Sequence, residues 1–365
     1  MPAYKHALVL TSLENLALTM IRTLSAEGIK VTIAGGGKGR MLRLSRHCAA
    51  YAQVAEDGPD LAAARPESVA AVVRLARERG VDLVVPVDVP GGIFASSLRP
   101  LLPELPFYPF TDAETLKVLD NKWSFCGFLQ KHGIVAPRTW LLENAAQAAG
   151  LPLPLVLKPL SEAGGTGVVV ARDAAARDAR LSGSSKHLRF PTLAQEYIDG
   201  EDVSLSFLAD RGRLLAWSVH MRRRDGALAY LVDDRVVEHG RRIAAACGYS
   251  GMANVDMRYD GAARSRVLVL ECNPRFWGTY KYTLGLGIDY LERGFALMEG
   301  REPAPFPGAP EATVPGLVAS FKRLTKSGSG IPIESRPYLK QKLSDPLPEI
   351  WYGARLLLGI KNEGP

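Results

Sequence analysis

The chain has 365 residues, of which 47% are hydrophobic and 23% are charged, values typical of a globular protein with a substantial core. At this length about two or three domains are expected. The net charge of +7 would suit a nucleic-acid partner, but the basic residues are scattered and no recognition motif accompanies them. The excess positive charge is therefore attributed to binding anionic nucleotides, and no nucleic-acid partner is expected.

Membrane insertion and secretion are also disfavoured by the sequence. No apolar run approaches the ~20 residues of a membrane helix, and the N-terminus lacks a signal-type apolar region with a cleavage site. The four cysteines are widely spaced, without a Cys-x-x-Cys pair, which argues against a zinc site or a disulfide framework. These observations predict a cytoplasmic protein without a membrane partner.

The first part of the chain alternates predicted strands and helices. Such β-α-β alternation predicts an α/β domain built on a parallel sheet. The glycine-rich residues 35–39 fail the spacing of a Walker phosphate loop, so they are interpreted as a strand-exit loop. The predicted strands lie at residues 7–10, 30–34 and 82–87, and the predicted helices at residues 15–27 and 69–79.

A proline-rich linker over residues 100–109 precedes a helix with a predicted cap at residues 111–112, and the helix runs to about Lys131. Lys122 lies early in this helix, where a lysine is either a solvated surface charge or a group that reaches a phosphate. A strand over residues 153–157 then leads into Lys158, a glycine-rich loop and a second strand. This segment is interpreted as a hairpin flap.

The glycines of the flap let backbone N–H groups face an anion, although most glycine-rich loops are plain turns. Lys158 is more informative, because a lysine in an apolar strand needs a partner when it is buried. At the end of the first strand of the flap it would add a fixed positive charge over phosphates.

Two alternating segments joined by an Asp-Gly turn predict an antiparallel hairpin over residues 254–273. Strict alternation places Glu271 and Asn273 on the same face as Val269. Asp256 can lie opposite them on the neighbouring strand. Three converging oxygen donors would suit Mg²⁺ that also holds substrate phosphates. The alternative is a buried strand that ends in a solvated turn.

In this order, the segments resemble the ATP-grasp superfamily. The match covers about residues 113–298, and the N-terminal part resembles the pre-ATP-grasp domain of the same superfamily. The chain is most similar to the carbamoyl-phosphate-synthase-like branch and its stand-alone carboxylate–amine ligases. The residues that carry the resemblance are Lys122, 155–159 with the glycine-rich flap, 195–202, 254–256 and 270–275.

The resemblance implies an ATP site. Lys122 and Lys158 correspond to two lysines that contact the phosphates, and Asp202 to the acid that binds the ribose hydroxyls. The other implied nucleotide-binding residues belong to the flap and to the hinge strand that holds adenine: Gly164, Gly165, Gly167, Gln195, Glu196, Tyr197 and Ile198.

The resemblance also implies Mg²⁺ or Mn²⁺, held by Asp256, Glu271 and Asn273. Arg275, together with Lys158, corresponds to the catalytic groups that stabilise the transferred phosphoryl group. The implied reaction joins a small carboxylic acid to an amine through an acyl phosphate and releases ADP and phosphate. Two other classes stay open: ATP-grasp phosphorylation or carboxylation without an amine, and a nucleotide-binding regulatory protein without turnover.

The implied organisation combines α/β and α+β parts. A pre-ATP-grasp α/β domain over residues 1–112 precedes a two-lobed ATP-grasp domain over residues 113–298 and an extension over residues 299–365. The first lobe, residues 113–190, carries the flap, and the second, residues 191–298, carries the hinge strand and the metal hairpin. Helical pieces predicted over residues 338–360 either cap the core or serve an interface, and a homodimer is compatible with this organisation. Trp277 and Tyr280 either line an acceptor pocket or pack in the core.

Overall fold

The computed structural model describes residues 3–55, 61, 65–160, 165, 167–182, 189–316 and 333–357. Three β-sheets organise these residues: a parallel four-stranded sheet, an antiparallel four-stranded sheet and an antiparallel six-stranded sheet. Within this part of the chain, every helix is too short or too polar to span a bilayer.

The N-terminal residues form the predicted α/β domain on a parallel sheet. The strand order is β3-β2-β1-β4. Gly28 and Gly80 follow the first two helices with φ of +82° and +62°, a conformation that glycine adopts without steric cost. The elements are β1 (His6–Thr11), α1 (Glu14–Ala26), β2 (Lys30–Gly36), β3 (Cys48–Ala55), α2 (Pro66–Glu78), β4 (Leu83–Pro86) and α3 (Val89–Leu98).

Sequence reasoning did not predict β3 or α3. The first turn of α3 contains a proline and two glycines, residues that are uncommon inside helices. For that reason the sequence did not indicate a helix here, although Asp88 is its N-cap. The buried Asp88 carboxylate accepts hydrogen bonds from the backbone N–H of Gly91 at 2.8 Å and of Leu13 at 2.7 Å, and from the Thr11 hydroxyl at 2.9 Å. This one side chain therefore joins the carboxyl end of β1 to the start of α3.

The single helix predicted to run to Lys131 is two helices, α4 (Ala113–Asp120) and α5 (Lys122–Lys131). Asn121 separates them with an extended ψ of 117°, and its side chain caps α5 by accepting from the N–H groups of Trp123 and Ser124. The prediction of one continuous helix is wrong, because an asparagine inside it caps a new helix. Lys122 is consequently the first residue of α5.

The antiparallel four-stranded sheet has the order β5-β8-β6-β7. It comprises β5 (Thr139–Leu142), β6 (Leu155–Pro159), β7 (Val169–Ala171) and β8 (Thr192–Glu196), with α6 (Ala174–Ser182) beside it. The pairing of β6 with β7 is the predicted flap hairpin. The hinge strand, β8, pairs with β5 and β6, whereas the predicted lobes grouped it with the metal hairpin. We call this sheet the flap sheet.

The six-stranded sheet has the order β13-β12-β9-β10-β11-β14. Its strands are β9 (Asp202–Asp210), β10 (Arg213–Arg222), β11 (Leu228–Leu231), β12 (Gly251–Tyr259), β13 (Val267–Asn273) and β14 (Ala312–Val314). The helices that accompany it are α7 (Asp234–Cys247), α8 (Tyr280–Thr283) and α9 (Tyr290–Met298). A strand from the predicted extension thus completes this sheet.

The predicted hairpin of β12 and β13 is present, but it contains a bulge. Asp256 pairs with Glu271, and the next pair is Met257 with Val269, so Leu270 is an extra residue. Val269 and Met257 pack in the core under the sheet, while Glu271 turns to the opposite face. The prediction that Glu271 shares a face with Val269 is therefore wrong, because the bulge interrupts the alternation.

The chain ends, within the described residues, in α10 (Arg336–Ser344) and α11 (Pro346–Leu357). These helices lie where helical pieces were predicted, and Trp351 of α11 packs against the core that the N-terminal domain shares with the six-stranded sheet. Trp277 and Tyr280 are only 5% and 1% exposed in that same core, which supports the packing interpretation of both residues.

Candidate active site

Charged side chains from both antiparallel sheets and from α5 meet at one place. Lys158 enters from β6 of the flap sheet, and Lys122 from the first turn of α5. Asp256 and Glu271 face them from β12 and β13, and Arg275 follows β13. Together with Asn273, these are six of the residues selected from the sequence, and the structure brings them together.

The two carboxylates of this cluster stand directly opposite each other, as Asp256 pairs with Glu271 across the hairpin. Asp256 accepts hydrogen bonds from the Ser204 hydroxyl at 2.6 Å, the Asn254 amide at 2.9 Å and the Asn273 amide at 3.1 Å. Burial, and next the charge of Glu271, raise the pKa of Asp256 to about 6. The carboxylate pair is thus electrostatically unfavourable by itself.

These residues fit a hard divalent cation. Among the residues described, no group of three or more His, Cys, Asp or Glu side chains could hold a metal ion. Two carboxylates and one amide are, however, the donor types that Mg²⁺ takes together with substrate phosphates. A cation between Asp256 and Glu271 would also offset the repulsion that raises the pKa of Asp256.

The two lysines differ in their surroundings. The Lys122 ammonium lies 3.5 Å from a carboxylate oxygen of Glu271, and its side chain is 11% exposed. Lys158 is 6% exposed, and among the described residues no carboxylate lies within ion-pair distance of it. Burial lowers the pKa of Lys158, and this effect exceeds the opposing effect of Glu271. An anion placed here would stabilise the buried ammonium.

The Arg275 side chain forms hydrogen bonds to residues next to it in the sequence, where β13 ends. One guanidinium nitrogen donates to Asn273 Oδ1 at 2.9 Å, and another donates to the carbonyl oxygen of Phe276 at 3.0 Å. Asn273 therefore connects Arg275 to Asp256, which explains the spacing of the acid, amide and arginine along the sequence. Arg275 also lines a pocket between the N-terminal domain and the six-stranded sheet, with apolar walls that include Val87 and Met252.

A second cluster of polar contacts surrounds Arg258, which lies two residues after Asp256 on β12. Its guanidinium donates to the carbonyl oxygen of Ile198 at 2.7 Å and forms a close ion pair with Asp202. The ring of Tyr197 lies between Arg258, 5.9 Å away, and Arg172, 5.5 Å away. One arginine thus contacts two of the predicted hinge residues, Tyr197 and Ile198, and the predicted ribose acid, Asp202.

The other two hinge residues make contacts within the flap sheet. The amide of Gln195, only 3% exposed, donates to the Thr139 hydroxyl at 2.9 Å. The carboxylate of Glu196 accepts from the backbone N–H of Arg138 at 3.2 Å. Both side chains are therefore engaged, and the backbone of β8 pairs with β5 on one side and with β6 on the other.

The flap itself is only partly described. Gly165 and Gly167 have φ of +76° and +75°, a region that other residues rarely adopt, and the Arg180 guanidinium donates to the Gly167 carbonyl at 3.0 Å. Gly164 lies outside the described residues. The predicted placement of flap N–H groups over an anion stays a prediction.

Sequence reasoning missed three residues that the site contains. Arg258 is two residues from Asp256, so strand alternation could have placed it on the same face. The same rule on β9 could have identified Ser204, which donates to Asp256. Asp120 is the last residue of α4 and lies near Arg275 and Lys122. It lies there because the helix predicted as one piece is broken after Asp120.

Part of the chain matches a known protein family. Residues 189–315 match the family described as ATP-grasp in the biosynthetic pathway with Ter operon. The D-alanine–D-alanine ligase of Acidiphilium cryptum (strain JF-5) is 29% identical over 164 residues, which are 40% of this chain and 51% of that protein. The chain spans about half or less of the length of the curated relatives that it matches.

Solved structures share the fold over more of the chain. The L-amino acid ligase from Bacillus licheniformis superposes with a TM-score of 0.59 at 18% identity, covering 80% of this chain and 74% of that one. The biotin carboxylase domain of a Hydrogenobacter thermophilus 2-oxoglutarate carboxylase, crystallised with MgADP, ADP and bicarbonate, has a TM-score of 0.58 at 17% identity and covers 82% and 70%. At these identities the likeness concerns the fold alone.

Proposed function

We propose that this member of the ATP-grasp superfamily is an ATP-dependent ligase that joins a carboxylic acid to an amine through an acyl phosphate. The observation that carries the proposal is the meeting of Lys122 and Lys158 with Asp256, Glu271 and the arginine that follows β13. This cluster offers positive charge to phosphates and hard oxygen donors to a cation in one place. The names of several relatives and neighbours, amino-acid ligases among them, support the same class of reaction.

The adenosine part of ATP lies along β8 and the start of β9. Asp202, held by Arg258, hydrogen-bonds the ribose hydroxyls. The Ile198 carbonyl is already bonded to Arg258, so the Ile198 N–H is the group that meets adenine. The carbonyl oxygen of Glu196, at the end of β8, is the second group assigned to adenine, because the Glu196 N–H already donates to the carbonyl oxygen of Arg138.

The phosphates extend from there into the charged cluster. Lys122 and Lys158 bind them, and the buried Lys158 ammonium gains an anionic partner that the described residues do not provide. Asp256, Glu271 and Asn273 would hold Mg²⁺ or Mn²⁺, which offsets phosphate charge when it is bound.

In the first chemical step, a carboxylate oxygen of the acid attacks the γ-phosphorus. The bond from that phosphorus to the β–γ bridging oxygen breaks, and ADP leaves. Lys158 and Arg275 offset the negative charge on the transferred phosphoryl group, a task for which the planar guanidinium is well shaped.

In the second step, the amine nitrogen attacks the carbonyl carbon of the acyl phosphate. The new C–N bond forms, the C–O bond to phosphate breaks, inorganic phosphate leaves, and the nitrogen gives up one proton to solvent. The chain's part in both steps is to position the reactants and to offset charge.

The proposal is tested by a screen of carboxylic acids with ATP, Mg²⁺ and hydroxylamine, a small nucleophile that can replace the amine. We expect a hydroxamate of the correct acid, with ADP and phosphate formed in equal amounts. AMP and pyrophosphate would contradict the mechanism. ADP formation that depends on bicarbonate, with no need for another acid, would instead support a carboxylation.

A pair of variants tests the arginine. Arg275→Ala should lower ADP formation itself by about 10²- to 10³-fold, because the guanidinium acts on the phosphoryl transition state. Arg213→Ala is the control, since Arg213 is an exposed arginine paired with Glu302. A wild-type rate of hydroxamate formation in Arg275→Ala would reject its assigned role.

A further inference from the structure

A row of polar side chains crosses the six-stranded sheet from the charged cluster. Strand register pairs Glu271 with Asp256, Asp256 with Ser204, Ser204 with His220, and His220 with Tyr230. Directly paired residues of antiparallel strands present their side chains on one face. All five side chains therefore share the face of the sheet that carries the proposed metal ligands.

Two members of this row have buried polar atoms without partners. His220 and Tyr230 are only 6% and 2% exposed, and their rings lie 5.7 Å apart. Nε2 of His220 contacts the Thr279 hydroxyl at 3.3 Å, but Nδ1 of His220 and the hydroxyl of Tyr230 have no hydrogen-bond partner among the described residues. Buried polar atoms are nearly always paired, and a ligand at the proposed reaction site would supply the partner that these two atoms lack.

The distance along the row suits a second reactant. Adjacent strands are about 4.8 Å apart, so His220, two strands from Asp256, stands roughly 10 Å from it. That gap is comparable with the space that a phosphoryl group and an attached acyl carbon require. Ser204, between the two, donates its hydroxyl to Asp256 and not to His220.

Two cations border this end of the row. Arg222 is exposed and lies two residues after His220 on the same face of β10. Lys281 is half-buried between the rings of Tyr282 and Tyr338, whose centroids lie 5.5 and 4.8 Å from its ammonium. Within the described part of the chain, neither cation forms an ion pair.

We propose that His220, Tyr230, Arg222 and Lys281 form the subsite of the attacking amine, and that this amine carries a carboxylate, as an α-amino acid does. This inference rests on the proposed ligase function. The amine nitrogen bonds to His220 Nδ1 and to the Tyr230 hydroxyl, and the carboxylate of the same molecule faces the two cations.

The charge of the subsite also favours the reactive form of the amine. Positive groups nearby disfavour an ammonium and favour the uncharged amine, the form whose lone pair attacks the acyl phosphate. Bound water would satisfy His220 and Tyr230 equally well, but it would place no anion beside Arg222 and Lys281.

The subsite is tested with matched pairs of acceptors, such as L-alanine against ethylamine and L-phenylalanine against 2-phenylethylamine. The donor is the acid that gives the most hydroxamate. We expect kcat/KM for the amino acid to exceed that for its decarboxylated partner by about 10-fold or more in at least one pair, as charge-assisted hydrogen bonds to the carboxylate require.

The outcomes separate the two proposals. If no acid yields a hydroxamate, the proposed function fails. If a hydroxamate forms but no amino acid is preferred over its partner, or neither kind of acceptor is used, the ligase step stands and the amino-acid subsite is overturned.

Variants of the subsite residues test whether the preference for the amino acid arises there. Arg222→Ala should reduce the amino-acid preference to near unity, whereas Arg224→Ala, in the exposed turn that follows β10, should keep it. Tyr230→Phe should raise KM for the amino acid, and it should do so similarly for the decarboxylated amine because the hydroxyl contacts nitrogen. A preference that survives Arg222→Ala unchanged would contradict the assignment of the carboxylate.

Discussion

Two buried groups of charges in this protein are built in opposite ways. The first joins the C-terminal helices to the N-terminal domain through Arg22 and Asp345, which are 4% and 1% exposed. Asp345 accepts from Arg22 at 2.9 Å, from the Ser45 hydroxyl at 2.7 Å and from the backbone N–H of Arg46 at 2.9 Å, and Glu349 takes a further Arg22 nitrogen. Burial alone would raise the pKa of Asp345, but these hydrogen bonds together lower it.

The second group is the charged cluster around Lys158. Here burial lowers the pKa of Lys158 and raises that of Asp256, so each group is less favourable in its charged form than it would be in water. The difference teaches where the chain stabilises itself and where it is arranged for the proposed ligands. In the first group the hydrogen bonds of Asp345 outweigh its burial, whereas in the second group burial outweighs the partners of Lys158 and Asp256.

The largest expected effect comes from breaking the second group. Glu271→Gln keeps the shape of the side chain but removes one of two opposed carboxylates. We expect Mg²⁺-dependent ADP formation to fall by about 10³-fold, as for loss of a group that acts on the transition state. The melting temperature should stay within about 2–4 °C of the wild type, since the repulsion with Asp256 disappears as well.

The matched control is Glu104→Gln, which alters an exposed acid paired with Arg77 and should change neither activity nor melting temperature. ADP formation near the wild-type rate in a folded Glu271→Gln protein would remove Glu271 from the site.

Breaking the first group should lower the stability of the fold, whereas breaking the second should lower ADP formation. Arg22→Ala leaves Asp345 buried without its cation, which costs about 3–5 kcal/mol of unfolding free energy. Arg77→Ala breaks an ion pair whose side chains are 57% and 48% exposed, and should cost less than about 1 kcal/mol. Urea denaturation measures both values. Equal losses in the two variants would show that burial does not distinguish these ion pairs.

How far the sequence predicts each group depends on the sequence separation of its members. Asp256 and Glu271 lie in one hairpin, so alternation and a short turn suffice to bring them opposite each other. The bulge at Leu270 was not predictable, because an extra residue between apolar neighbours leaves no compositional mark. The position of Asp256 opposite Glu271 was therefore predicted correctly, while the face of the strand was not.

Longer separations defeat the same reasoning. Arg22 and Asp345 are 323 residues apart, and no local pattern connects a helix near the start of the chain with a turn near its end. The grouping of β8 with the flap sheet likewise depends on pairing with β5 and β6, which periodicity within β8 does not reveal. Asn121 is a different case. Asparagine is a common helix cap, but the apolar pattern on both sides of Asn121 favoured one continuous helix.

A smaller effect is expected at the buried lysine of the second group. Lys158→Met removes a buried ammonium that has no ion-pair partner among the residues the structure describes. Stability should therefore be unchanged or higher, while the affinity for ATP falls about 10- to 100-fold. Lys117→Met is the control, because Lys117 is exposed and paired with Glu114 at 2.7 Å. Titration calorimetry with ATP measures the affinities. A destabilised Lys158→Met protein with normal ATP affinity would make Lys158 a structural residue.

The smallest effect concerns His220, an uncharged neighbour of the second group, and it is read from pH dependence. Burial, and next the charge of Arg222, lower the pKa of His220 from 6.5 to about 4. Between these values the unfolded chain binds a proton that the folded chain excludes, so the contribution of His220 to stability is present above pH 6.5 and is lost as the pH falls. From pH 7 to pH 5 the unfolding free energy of the wild type should therefore fall by about 2 kcal/mol more than that of His220→Gln, which cannot titrate.

Urea denaturation of both proteins at matched pH gives this difference directly, because the other titrating groups are common to both. Parallel pH profiles would mean that His220 accepts a proton in the folded protein as easily as in the unfolded chain, and a ring charged in this way could not accept a hydrogen bond from an amine.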